Sequence, residues 1–187
     1  MVTPARPARP ASAPLPPPRQ PDGPYRVCLV CLGNICRSPM AEAVLRAAVT
    51  EAGLAGAVIV DSAGTGDWHI GQGMNSQARA ALGGRGLDGS AHRARQIDSS
   101  WLPDRDLFLA MDRRNLADLR RMAAQAGVPD DRVELFGAAG GLGPDQDIPD
   151  PYGGEADDFA TALDLIRRGA RQLTTQLGVL LAGHAPA

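Results

Sequence analysis

The stretch Cys31-Leu32-Gly33-Asn34-Ile35-Cys36-Arg37-Ser38-Pro39 constrains this chain more than any other feature, because it lies between an apolar strand-like run at residues 25–30 and a helical stretch. Pro39 suits a first helical position, where its missing N–H is not needed. A loop in that setting turns its backbone N–H groups toward one point, and the start of the following helix adds positive potential, so the loop forms an anion trap. Cys31 stands at the bottom of the trap, where the field favours thiolate over thiol. Arg37 adds a planar fork able to hold two phosphoryl oxygens at once.

The rest of the chain alternates in the same way. Short apolar runs at residues 25–30, 58–61, 107–110 and 133–136 read as parallel strands covered on both faces. Between them, residues 39–52 carry Met40, Val44, Leu45 and Ala48 at helical spacing, and residues 75–85 repeat an alanine-rich helical pattern that ends near Gly86. Asp112 is placed to cap a third helix running to about residue 126, with Leu116, Leu119 and Met122 inward. A last helix from Asp157 aligns Phe159, Leu163, Ile166, Ala170, Leu173 and Leu177. The order β-α-β-α-β-α-β-α predicts an α/β domain: a doubly wound, four-stranded parallel sheet with helices on both faces. Its site should lie beyond the carboxyl ends of the strands at a topological switch point.

Composition narrows the function. The 187 residues fit one domain, the net charge is −2, and all 19 basic residues are arginines with no basic stripe, which argues against a nucleic-acid partner. Cysteines at 28, 31 and 36 are too close together for a disulfide framework and favour a reducing, cytoplasmic setting. Cys28 and Cys31 spell C-x-x-C, but Cys28 falls inside the first strand and no second cysteine pair or spaced histidine pair completes a metal site, so it reads as core. Residues 1–24 hold most of the prolines and contain no apolar run long enough for a signal peptide or membrane span; they are expected to be a disordered tail. The P-x-x-P-x-R pattern at residues 14–19 reads as part of that tail. The domain is expected over residues 25–182, with a short flexible C-terminus at 183–187.

The loop matches the signature C-x-G-N-x-C-R-S-P at Cys31, Gly33, Asn34, Cys36, Arg37, Ser38 and Pro39, and Asp150-Pro151-Tyr152 matches a second motif. On these residues the chain resembles the low-molecular-weight protein tyrosine phosphatases. The resemblance runs in collinear order over roughly residues 25–180, through Ser62-Ala63-Gly64-Thr65, His92-Arg93-Ala94-Arg95-Gln96 and Met111-Asp112. It implies a flavodoxin-like sheet and hydrolysis of phosphotyrosine through a phosphocysteine on Cys31. Arg37 and the loop N–H groups from Leu32, Gly33, Asn34, Ile35, Cys36 and Ser38 would hold the phosphoryl group. Neither metal nor other cofactor is called for.

The resemblance also assigns roles outside the loop. Asp150 would protonate the leaving phenolate and then activate water, while Asp145 and Asp147 read as solvated turn residues. Cys36 would trap an oxidised Cys31 as a reversible disulfide. Asparagine tolerates the left-handed backbone of a tight loop, which suits Asn34, and the Ser38 hydroxyl can bond the thiolate. His92 would belong to a network behind the loop, and Asp112 would stand near it as well as capping its helix. Leu32, Trp68 and Tyr152 would line a mouth for an aromatic ring. Many members carry a second tyrosine after the first; here Gly153-Gly154 follows, leaving that wall smaller. Tyrosine-phosphorylated proteins are the expected partners of a monomer or weak dimer, with no nucleic acid or membrane.

Three competing readings are less well served. Thiol-dependent arsenate reductases share C-x5-R but need further cysteines downstream, and none follows Cys36. Protein-arginine phosphatases resemble this loop with threonine in the place of Ile35. A catalytically dead phosphoprotein-binding module would normally lack the nucleophile or the acid, and both Cys31 and Asp150 remain.

Overall fold

The computed structural model describes residues 14–183. Its centre is a four-stranded parallel sheet in the order β2-β1-β3-β4, formed by β1 (Tyr25–Cys31), β2 (Val58–Gly64), β3 (Leu107–Ala110) and β4 (Val133–Leu135). The helices are α1 (Arg37–Glu51), α2 (Ser76–Gly83), α3 (Arg113–Ala126), the short α4 (Phe136–Ala139) and α5 (Ala156–Ala182). This is the doubly wound arrangement that the alternation requires.

Strand β1 shows why both faces must be covered. Its side chains alternate, so Val27, Leu29 and Cys31 join one apolar cluster with residues of α1 and α5, while Cys28 and Val30 join another with Leu116, Leu119 and Ala123 of α3. Cys28 and Cys31, three residues apart, therefore face opposite sides of the sheet. Helix α5 buries Phe159, Leu163, Ile166, Ala170, Leu173 and Leu177, the face that its spacing forecasts. No helix among the described residues is long and apolar enough to cross a membrane.

Several boundaries differ from expectation. Helix α1 opens at Arg37, two residues before Pro39, which still lies within the first turn where no intrahelical N–H is required. Strand β2 continues to Gly64 because its last residues pair with the end of β1. Phe136 leaves β4 and starts α4, where it is fully buried against Gly169 of α5.

The expected disordered tail is corrected over residues 14–24. Leu15 is buried in the main core cluster, the Tyr25 hydroxyl donates to the Pro16 carbonyl at 3.0 Å, and Arg132 donates to the Pro17 carbonyl at 2.8 Å. Arg19 donates its backbone N–H to Asp106 Oδ1 at 2.6 Å and its side chain to the carbonyls of Arg105 and Leu102. Proline loses little backbone entropy on docking, so a few such anchors suffice to hold the arm. The remainder of the tail, residues 1–13, and residues 184–187 lie outside the described residues.

Candidate active site

The switch point falls between β1 and β3, whose carboxyl ends deliver Cys31 and the Met111-Asp112 pair side by side; the Met111 N–H donates to the Val30 carbonyl at 2.8 Å. From β1 the chain enters the loop of residues 32–36, and the end of β2 closes on it: Thr65 N–H donates to Cys31 O and Gly66 N–H to Leu32 O, both at 2.9 Å. A Cβ on Gly64 would lie 2.7 Å from the Leu32 carbonyl, so the close approach requires glycine there.

Asn34 organises the loop. It is the sole non-glycine residue with positive φ among the described residues, at 54°, and every polar group it carries is engaged. Its N–H points to Cys31 Sγ at 3.3 Å, and Nδ2 donates to Ser38 Oγ and Ser62 Oγ, each at 2.9 Å. Oδ1 accepts from the Arg95 N–H at 2.9 Å, and the main-chain carbonyl accepts from His92 Nε2 at 2.7 Å. Ser62 in turn donates to Glu42 on α1. The Ser38 hydroxyl, already accepting from Asn34, lies 2.9 Å from Cys31 Sγ and 3.3 Å from the Ala63 carbonyl, either of which can take its proton.

Charge is concentrated on Arg37. Its guanidinium pairs with Asp112 at 2.6 Å and with Asp150 at 2.8 Å, and also donates to the Ile148 carbonyl at 3.2 Å. Burial works to lower the Arg37 pKa, but the Asp112 hydrogen bond and the negative charges of Asp150, Cys31 and Asp112 outweigh it, and the value stands above that of a free arginine. Burial first, then the negative charges of Cys31 and Asp150, pushes Cys36 up to about 12, so it is a neutral thiol near neutral pH. Burial also lowers His92, against the opposing effect of its bond to Asn34. A neutral His92 with the proton on Nε2 satisfies that bond.

The mouth is a cavity of about 110 Å³ that brings Cys31, Leu32, Gly33, Ile35, Cys36, Arg37, Trp68, Asp150 and Tyr152 together with His69. Asn34, Ser38, His92 and Asp112 stand behind or beside the loop and do not line it. A larger groove of about 510 Å³ lies behind the loop, against Glu42, Arg46 and His92, away from the sulfur. Among the described residues no group of three or more histidine, cysteine, aspartate or glutamate side chains is placed to hold a metal.

Five contributions were not assigned from sequence. His69 stands between Trp68 and Tyr152, with ring centroids 6.3 Å from each, and covers Gly33 so closely that a Cβ there would meet its ring at 2.8 Å. Gln72 fixes that ring through Nδ1 at 2.9 Å. Glu42 falls four residues after Ser38 on α1, a helical spacing that offered a signal. Ser62 was visible only as part of a motif, and Asp147, read as a solvated turn residue, is bound to Arg113.

A doubly wound domain whose first strand ends in a buried cysteine, ahead of the start of a helix, faced by the Asn34 N–H and sharing its cavity with a paired arginine, defines a phosphate-handling class of α/β protein. A sequence profile of the low molecular weight phosphotyrosine protein phosphatase family matches residues 26–179, and the chain belongs to that family; it is a phosphatase. A low molecular weight protein-tyrosine-phosphatase of Streptomyces coelicolor is 44% identical over 172 residues, covering 86% of this chain and 98% of that protein. The crystal structure of YfkJ from Bacillus subtilis superposes with a TM-score of 0.76 at 35% identity, covering 83% of this chain and 96% of that one. The arginine phosphatase YwlE gives a TM-score of 0.74 at 29% identity, with 82% and 96% covered.

Proposed function

We propose that this phosphatase hydrolyses phosphotyrosine in proteins through a phosphocysteine on Cys31, with Arg37 and the loop backbone holding the phosphoryl group and Asp150 as general acid and base. The observation that carries the reading is the convergence of Cys31, Arg37 and Asp150 on one small cavity with an aromatic rim.

In the first step the Cys31 sulfur attacks phosphorus, the S–P bond forms as the P–O bond to the phenol breaks, and Asp150 gives its proton to the departing oxygen. The Asn34 N–H and the Ser38 hydroxyl face the sulfur and stabilise its negative charge before attack and as it leaves. In the second step Asp150 takes a proton from water, the oxygen attacks phosphorus, and the S–P bond breaks to return the thiolate and inorganic phosphate. Arg37 and the loop N–H groups offset charge on the equatorial oxygens in both steps. Asp112, by pairing with the other edge of the guanidinium, keeps the fork aimed at the loop.

Leu32, Trp68, His69 and Tyr152 provide walls for an aryl group, and the buried Ile35 supplies an apolar contact where arginine phosphatases have threonine. Cys36, held neutral, does not compete as a nucleophile and is available to trap an oxidised Cys31, protecting it from irreversible oxidation. We place the activity in the cytoplasm, where its thiols stay reduced.

The test compares phosphotyrosine with 4-nitrophenyl phosphate. Asp150→Asn is expected to lower turnover on phosphotyrosine by about 10²-fold or more and on 4-nitrophenyl phosphate by far less, because a good leaving group departs without a proton. Equal losses on the two substrates would remove Asp150 from the acid role. Faster hydrolysis of phosphoarginine than of phosphotyrosine peptides would reassign the substrate.

A further inference from the structure

The loop that bears Asp150 spans residues 140–155, and its stretch before the acid is tied to the start of α3 as well as to Arg37 of α1. The Ile148 N–H donates to the Met111 carbonyl at 2.8 Å, and the Ile148 side chain is buried. One residue earlier, Asp147 takes both faces of Arg113: Oδ1 accepts the backbone N–H at 3.0 Å and Oδ2 accepts from Nε at 3.1 Å. Beyond the acid the chain turns through Gly153, at φ 79°, and Gly154. Apart from Arg37, the contact to Asp150 is a 3.3 Å bond from the Tyr152 N–H within the same turn.

The Arg113 N–H that Asp147 receives is the first of α3, which its N-cap Asp112 leaves unpaired while bonding Asn115 N–H at 2.7 Å. Asp147 thus supplies a second carboxylate to the positive end of a fourteen-residue helix. Residues 111, 112 and 113 in succession hold Ile148, Arg37 and Asp147. The segment that aims the phosphate-binding arginine therefore also sets the height of the loop that carries the acid.

We infer that Asp147 is a positioning residue, clamping the acid loop to the N-terminus of α3 through Arg113 so that Asp150 stands over the leaving-group oxygen. The inference rests on the assignment of Asp150 as the acid. The Asp147–Arg113 pair is partly exposed, and exposed pairs contribute little to stability. Its effect is one of placement, and general acid catalysis depends steeply on placement.

Steady-state kinetics on the full chain tests it, with phosphotyrosine and 4-nitrophenyl phosphate as substrates and inorganic phosphate as a competitive inhibitor. Asp147→Ala should lower kcat on phosphotyrosine by about tenfold and on 4-nitrophenyl phosphate by less than about threefold, with phosphate inhibition unchanged within about twofold. Asp147→Asn should be milder, because its amide oxygen still accepts the Arg113 N–H. In an Asp150→Asn background, Asp147→Ala should add no further loss on phosphotyrosine. Equal losses on both substrates, or weakened phosphate inhibition, would mean general damage to the site and overturn the inference. A full additional loss in the Asp150→Asn background would do the same, by making Asp147 act independently. If Asp150→Asn is selective for the poor leaving group and Asp147→Ala is not, the clamp alone fails; if Asp150→Asn is unselective, the acid assignment fails and takes the clamp with it.

Discussion

The floor of the site and its rim are built in opposite ways. Cys31, Asn34, Arg37, Ser38 and Ser62 are all at most 3% exposed; Cys31, Asn34, Ser38 and Ser62 are bonded to one another, and Arg37 is held by Asp112, Asp150 and the Ile148 carbonyl. Trp68 and Tyr152 are about 60% exposed, and the Asp150 side chain is 43% exposed. The floor must stabilise charge without reorganising during the reaction, so folding fixes its donors in advance. The rim must admit and release a protein side chain, which a rigid collar would prevent. On the proposed mechanism, preorganisation is thus concentrated in and beneath the loop that would hold the phosphoryl group.

The sharpest break of this contrast is at the nucleophile. Cys31→Ser should lose turnover by at least about 10³-fold while still binding inorganic phosphate or vanadate, since a serine hydroxyl does not ionise in this setting. Burst and steady-state assays with calorimetric binding check both halves, and retained turnover would end the phosphocysteine reading. Next comes Asn34→Ala, which removes both Nδ2 donations and places an ordinary residue at positive φ. It should lower kcat/KM by about 10²-fold and stability by about 2–4 kcal/mol, read by denaturant unfolding.

At the rim, Trp68→Ala and Tyr152→Ala should each raise KM for aryl phosphates by about three- to tenfold, with kcat and phosphate inhibition little changed. A fall in kcat as large as that for Asn34→Ala would erase the distinction between the two regions. The smallest effect belongs to His92. Its folded pKa is lowered by burial, so the unfolded chain binds the proton more readily, and the stability it contributes is present above about pH 6.5 and lost as pH falls below it. Melting temperature measured from pH 7.5 down to 5 should therefore fall less steeply in His92→Gln than in the parent.

What the sequence disclosed follows the same division. Helix α5 was legible because one face repeats at helical spacing over many turns, and the loop because Cys31, Gly33, Asn34 and Arg37 fall within seven residues of the chain. Asp147 was not, since its partner Arg113 lies 34 residues away and nothing local distinguishes it from Asp145. Helix α4 was missed because Phe136 prolongs an apolar run that reads as strand, and the turn is set by packing against α5. His69 had no periodicity to betray it.

Leu15 carries a different lesson. The family match begins at residue 26, yet this leucine, eleven positions earlier, is buried in the main core cluster. The stretch that the family profile matches and the length that folds are therefore unequal. A gene trimmed to the homologous boundary would encode every atom of the reaction and leave a hole beneath the sheet. It would also strip Asp106 of the Arg19 N–H, one of its two main-chain donors. Boundaries drawn by kinship mark where sequences can be compared, and this domain closes farther out.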